Sequence, residues 1–215
     1  MLTIYGSDLS GPANKVRFVA NYIGLTYEYR VMNLREGEHK QEWFLKINPI
    51  GKIPAMSDGD FNLFESGAIC KYLCNKSDSA LYPKDAKQRA IVDQWIDFST
   101  LHIGINMSKV TFNRVFAPRM NRPVSQESIA DGENFLGQQL PCLENQLSQH
   151  KFLCGSQITL ADLTLLSALD PAEVSGIDLN KYPKITAWRN NLKTQDFYTK
   201  CYKEYGESFK QTASK

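Results

Sequence analysis

The chain has no surplus of either charge: 25 Lys and Arg stand against 23 Asp and Glu, a formal net of +2. A nucleic-acid-binding surface calls for a basic excess gathered on one face, so that class of function is set aside. Long apolar runs are missing too, and none approaches the ~20 residues that span a bilayer. Residues 1–8 carry no basic stretch ahead of an apolar core and do not read as a secretory signal. Cysteine is scarce, with Cys70, Cys74, Cys142, Cys154 and Cys201 giving an odd number and no Cys-x-x-Cys pair. Cys70 and Cys74 would share a helix face, but no histidine or second pair completes a metal set. The expectation is reduced, mostly buried thiols in a cytoplasmic protein with no metal. Asn75-Lys76-Ser77 and Asn106-Met107-Ser108 match the glycosylation pattern and, without a secretory route, are read as chance.

What is present is the mixture of a globular chain, 42% hydrophobic and 22% charged over 215 residues. That length suits one large domain or two small ones, with core enough to need no staples. Leu2-Thr3-Ile4-Tyr5 alternates with period two and reads as a strand. A loop from Gly6 to Gly11 comes next, and Pro12 suits the first turn of a helix whose apolar stripe is Val16, Val19, Ala20 and Ile23. Residues 26–32 read as a second strand, completing a βαβ unit with a parallel pair. Asp58-Gly59 between Ile53-Pro54-Ala55-Met56 and Phe61-Asn62-Leu63 predicts a hairpin. Ser66 then caps a helix carrying Ile69, Tyr72 and Leu73.

Residues 75–87 are polar and linker-like, and the period beyond them is helical throughout. Val92, Trp95, Ile96, Ser99 and Ile103 share one face. Ile129, Leu136, Leu140, Leu143 and Leu147 share another, with Pro141 expected to kink or restart that helix. Residues 160–169 are apolar on nearly every side and predict a central buried helix. Ile185, Trp188 and Leu192 mark one more, and Phe197, Cys201, Tyr202 and Tyr205 a last one.

Three stretches could carry chemistry. Ser10 ends the first loop, where it either caps the helix or donates its hydroxyl to an anion held at the helix entrance. Ile53-Pro54 opens a strand. A cis bond there would turn the preceding backbone outward to an extended peptide, whereas trans is the ordinary state. Glu65-Ser66 offers an amine acceptor beside donors for a carboxylate, or is simply a cap preceded by an acid.

In this order and spacing, these motifs resemble the cytosolic glutathione transferase superfamily, in particular its serine-type phi and theta classes. The resemblance spans nearly the whole chain. It rests on Ser10-x-x-x-x-Lys15-Val16, Gly37-Glu38-His39-Lys40, Asn48-Pro49 through Ala55, Asp58-Gly59-Asp60-Phe61, Leu63-Phe64-Glu65-Ser66, Leu81-Tyr82-Pro83 and Gly155 through Asp162. It implies a thioredoxin-like α/β domain over residues 1–76, a linker over 77–86 and an all-helical domain over 87–215. Ser10 then matches the serine that bonds the glutathione sulfur. Ile53 and Pro54 match the segment pairing with its cysteinyl part, Glu65 and Ser66 the pair holding its γ-glutamyl end. His39, Lys40 and Lys52 fall where its glycine carboxylate is met, and Thr159 with Asp162 match a capping box.

The implied function is conjugation of the glutathione thiolate to a small apolar electrophile, with glutathione as co-substrate, no further cofactor, and a homodimeric assembly. Leu9, His102, Ile105, Asn106 and Phe112 are the expected electrophile contacts, with Phe98, Lys109 and Phe116 further candidates. The alternatives are a glutathione-dependent peroxidase or isomerase, or a non-catalytic dimerising module. The chain departs from the theta pattern in carrying Ala13-Asn14 after Pro12, and Ser7 offers a second hydroxyl. No cysteine stands in the loop where redox-active branches carry one.

Overall fold

The computed structural model describes residues 1–202, 204–207 and 209. The first third holds β1 (Leu2–Gly6), α1 (Gly11–Tyr22), β2 (Glu28–Val31), a 3-10 turn Glu38–Lys40, the short α2 (Glu42–Leu45), β3 (Ala55–Asp58), β4 (Phe61–Phe64) and α3 (Ser66–Lys76). The four strands form one mixed sheet in the order β2-β1-β3-β4, parallel between β1 and β2 and antiparallel elsewhere. Alternation along β1 sorts its side chains to two faces. Ile4 enters the main core with Val16, Ile69 and Leu73, while Tyr5 packs on a smaller cluster of Met32, Phe44 and Ala55 on the other side. The predicted hairpin is present: Asp58 pairs with Phe61 across Gly59, whose φ of 62° suits glycine.

The helical remainder opens with a rod made of α4 (Ala86–Asp97), α5 (Ile105–Thr111) and α6 (Ala117–Arg119), joined by π-helical stretches at Phe98–Gly104 and Phe112–Phe116. It continues through α7 (Gln126–Gln149), α8 (Leu160–Leu169), α9 (Ala172–Ser175), α10 (Pro183–Lys193) and α11 (Asp196–Thr199). The expected apolar faces of α4, α7 and α10 are all buried. Two expectations need correction. α7 does not restart at Pro141 but runs through it, held by Leu136, Leu140, Leu143 and Leu147 on its buried side. The last predicted helix is interrupted: α11 ends at Thr199 and residues 205–207 are helical again, with Phe197, Tyr202 and Tyr205 all buried. All five cysteines are free; Cys70 and Cys74 are buried, Cys154 and Cys201 half-buried, and Cys142 is exposed. Among the described residues no helix is long and apolar enough to cross a membrane.

The sheet and the helices meet along α1. Phe18 stacks on Tyr198 at 5.2 Å and meets Phe197 and Tyr202 edge-on, while Asn21 Nδ2 donates to Phe197 O and Arg17 to Cys201 O. The polar segment after α3 also carries buried Leu81, whose carbonyl accepts from Leu160 N at the start of α8. At its N-terminus α1 lies against α8 so closely that a Cβ on Gly11 would stand 2.8 Å from Ser167 O. Gly11→Ala is therefore expected to push the two helices apart and to lower stability by about 1–3 kcal/mol, read from urea unfolding.

Candidate active site

The loop from Gly6 to Ser10 is fixed by the helix after it. Asn14 Nδ2 donates to Asp8 O at 2.7 Å, and the half-buried Asp8 carboxylate pairs with Arg17 at 2.7 Å. Arg17 in turn lies over the Tyr29 ring on β2. From the helical side, Tyr205 Oη donates to Leu9 O at 2.9 Å. Ser10 ends this loop as the N-cap of α1, its Oγ accepting from Ala13 N at 3.3 Å. A hydroxyl has one donor and two acceptor positions, so this cap leaves the proton free to donate elsewhere. Capping and anion binding, alternatives in the sequence, are compatible in the structure. Ser7 Oγ instead accepts from Leu9 N within the loop.

The Ile53–Pro54 bond is cis. Asn48, almost fully buried, holds the segment before it: its Nδ2 donates to Lys52 O at 2.6 Å and its Oδ1 accepts from Ile50 N. Gly51, at φ 60°, lets the Glu38–Lys40 turn approach, because a Cβ there would meet His39 O and Lys40 Nζ at 2.8 Å each. His39, Lys40 and Lys52 thus come onto neighbouring segments, with Lys40 Nζ donating to Ile50 O at 3.2 Å. Glu38 anchors the turn through Arg30 and Asn33 N, and these donors hold its carboxyl below the usual carboxylate range.

At the third stretch the N-cap is Glu65, not Ser66, which is the first helical residue of α3. Glu65 stands at φ 68° and ψ 111°, a conformation that costs a non-glycine residue ~1–3 kcal/mol and tends to persist where a site requires it. β4 runs parallel to β1, so α1 and α3 begin at the same end of the sheet. Both N-termini open on one cavity of about 700 Å³ between the sheet domain and the helices, reached by Ser10 and Ser66.

The far wall of that cavity comes from the rod, from α8 and from Tyr205. Leu9, Ile105 and Phe112 line it as expected, and so do Lys109 and Phe116. Phe98, His102 and Asn106 do not. His102 is exposed and packs on the Phe98 ring, while Asn106 is buried with its Nδ2 on His102 O. The helical register is not at fault, because Ser99 and Ile103 on the predicted face stay buried through the π-helical stretch Phe98–Gly104; His102 and Asn106 lie off the side of the rod that meets the cavity. Ser99, Thr100 and Gly104 take those places. Sequence reasoning also passes over Thr111, Ser167 and Lys15 as cavity residues. For Lys15 a signal exists, since it lies three and four residues beyond Pro12 and Gly11 and shares their face.

A thioredoxin-like sheet with cis-Pro54, a capping serine at the entrance of α1 and an adjoining apolar cavity define a glutathione-handling protein of the transferase type. The comparisons agree along the chain. Residues 2–75 match the glutathione S-transferase N-terminal domain and residues 107–196 the glutathione S-transferase C-terminal domain. A glutathione S-transferase of Hyoscyamus muticus is 29% identical over 206 residues, covering 93% of this chain and 97% of the relative. The rice (Oryza sativa subsp. japonica) protein named "Probable glutathione S-transferase GSTF2" is 32% identical over 199 residues, 89% of this chain and 91% of its own. Among solved structures, glutathione transferase F2 of Populus trichocarpa superposes with a TM-score of 0.87 at 30% identity, covering 98% of this chain and 100% of that one. The protein belongs to the glutathione S-transferase family, on its serine-type, phi-like side, and is a glutathione transferase.

Proposed function

We propose that the protein conjugates the glutathione thiolate to small apolar electrophiles, and that Ser10 is its catalytic residue. The observation that carries this reading is the free hydroxyl proton of Ser10 at the entrance of α1, on a cavity whose other wall is aromatic and aliphatic. A free thiol has a pKa of about 8.5, so only a few per cent is nucleophilic at neutral pH. Ser10 Oγ–H and the first amides of α1 lower that pKa by bonding the charged sulfur. The thiolate then attacks the electrophilic carbon. With a chloronitrobenzene, the carbon–sulfur bond forms as chloride leaves with the bonding pair.

Glutathione is held along its length. The Ile53 backbone beside Pro54 pairs with the cysteinyl part, Glu65 accepts from the γ-glutamyl ammonium, and Ser66 with the α3 amides donates to its carboxylate. His39, Lys40 and Lys52 meet the glycine carboxylate, a role that suits two cations beside an imidazole. Leu9, Ile105, Phe112 and Phe116 receive the electrophile. The test pairs calorimetric titration with glutathione and initial rates against a panel of aryl halides and hydroperoxides. Binding with turnover of aryl halides supports conjugation; turnover of hydroperoxides alone assigns the site to peroxide reduction instead.

Ser66→Ala separates holding from chemistry. A hydrogen bond to a charged group contributes ~1.5–3 kcal/mol, so KM for glutathione is expected to rise about tenfold or more with kcat unchanged. We also infer a cytoplasmic homodimer. The sheet ends at β4, an open edge on which Phe61 is nearly half exposed beside Tyr72, as a strand covered by a partner would be. Sedimentation of the pure chain checks this, and a monomer at micromolar concentration rules it out.

A further inference from the structure

Lys15 is an anomaly by the rules that govern buried charge. Its side chain is only 4% exposed, it lines the cavity, and it makes no ion pair or hydrogen bond among the described residues. Buried cations are ordinarily paired, because leaving water is costly for an ammonium. Here the surroundings add positive potential. Lys15 sits on α1 beside α3, and both helices present their N-terminal, positive ends to this side of the cavity.

No neighbour supplies the missing negative charge. From α3, Lys15 faces the Cys70 thiol, with Glu65 and Lys71 beyond. Burial pushes Cys70 up to about 11, so it is a neutral thiol at pH 7. Glu65 is exposed and forms no ion pair with Lys15. The rod lines the cavity with Ser99, Thr100 and the cation Lys109, and α8 with Thr164 and Ser167, none of them an anion. Ser99 Oγ is itself fully buried and without a partner. A cation, an idle hydroxyl and two helix entrances therefore converge on one cavity that contributes no anion. Burial accordingly depresses the Lys15 pKa and Lys71 adds to this, with Glu65 opposing.

The direction of the side chain says where the anion goes. A helical side chain leans toward the N-terminus over residues three and four positions earlier, here Pro12 and Gly11. Neither extends a long side chain over that path, and Ser10 lies immediately before them. We propose that Lys15 is a second thiolate-stabilising residue: its ammonium supplies the positive charge toward which the glutathione thiol ionises, alongside the Ser10 hydroxyl. This rests on the placement of glutathione given above. It adds a full charge to a site that otherwise relies on dipoles, and an opposite charge within ~4–6 Å lowers a pKa by about 1–3 units.

The experiment compares wild type with Lys15→Met, which keeps the volume and removes the charge. The pKa of bound glutathione is read from the ultraviolet thiolate band and from the pH profile of kcat/KM. The expected result is an upward shift of about 1–3 units in both, a fall in kcat/KM of about tenfold or more at neutral pH, and unchanged affinity for S-methylglutathione. Lys15→Arg should return the pKa toward the wild-type value. The melting temperature should rise in Lys15→Met, because an unpaired buried charge is gone, and Lys15→Gln serves should the methionine variant fail to fold. An unchanged thiol pKa with weakened S-methylglutathione binding would assign Lys15 to a carboxylate and overturn the proposal. No change in either would make it a packing residue and overturn it as well. Absence of glutathione binding in the wild type would defeat the placement of the tripeptide itself, a distinct failure.

Discussion

Replacing Ser10 with alanine is expected to lower kcat for glutathione conjugation by about 10²–10³-fold, the equivalent of ~2.7–4 kcal/mol of transition-state stabilisation. KM for glutathione should change little, because the sulfur contributes little to holding the neutral tripeptide. The same hydroxyl also caps α1 through Ala13 N, so the variant should lose about 1 kcal/mol of stability as well. Ser10→Asp separates the two roles. A carboxylate caps as well as a hydroxyl but repels a thiolate, so stability should be retained while the rate is lost. Ser7→Ala should have a small effect, since Ser7 Oγ is bonded to Leu9 N and Ser7 does not line the cavity. Initial rates with a chloronitrobenzene, beside urea unfolding of each variant, give both readings. Should Ser7→Ala abolish turnover and Ser10→Ala spare it, the thiolate belongs to Ser7.

The parts of this site legible in the sequence are those where local chemistry and tertiary packing agree. β1, α1 and β2 emerge from a switch of apolar period, and α8 from being apolar all round, because burial imposes each pattern directly. Asp58-Gly59 declares its hairpin because few residues adopt φ of 62° without strain. The illegible parts are those where tertiary structure overrides local preference. Glutamate has no tendency toward φ of 68°, so local propensity points to Ser66 and not to Glu65 as the cap. The two π-helical stretches of the rod leave no compositional mark, and nothing local shows that His102 is exposed and that Asn106 bonds to His102 O instead of lining the cavity. Lys15 stands in a motif without a role, because a lysine on a helix ordinarily faces water. These departures adjoin the cavity, as expected where geometry is selected for binding and not for folding.

Asp162→Ala should be the most damaging substitution for stability, and it should act without touching the chemistry. The Asp162 carboxylate is fully buried at the first turn of α8 and accepts from four donors: Thr159 N at 2.8 Å, Leu153 N at 2.9 Å, Thr159 Oγ1 at 3.0 Å and Trp188 Nε1 at 3.1 Å. Burial pushes its pKa up and these four bonds oppose that, so the group joins the loop before α8, the helix itself and α10. Alanine would strand three N–H groups that have no water to turn to, at ~1–3 kcal/mol each. The sum approaches the ~5–15 kcal/mol that holds a domain folded. Asp162→Asn keeps one acceptor and should lose less, although its amide adds a donor facing donors. α8 seats α1 through the Gly11–Ser167 contact and lends Thr164 and Ala168 to the cavity wall, so its failure releases both sides of the site together. The consequence is specific: whatever fraction of Asp162→Ala remains folded should bind glutathione with unchanged affinity, while the midpoint of urea unfolding collapses. A variant that unfolds at the wild-type midpoint would mean that water had taken the place of the carboxylate.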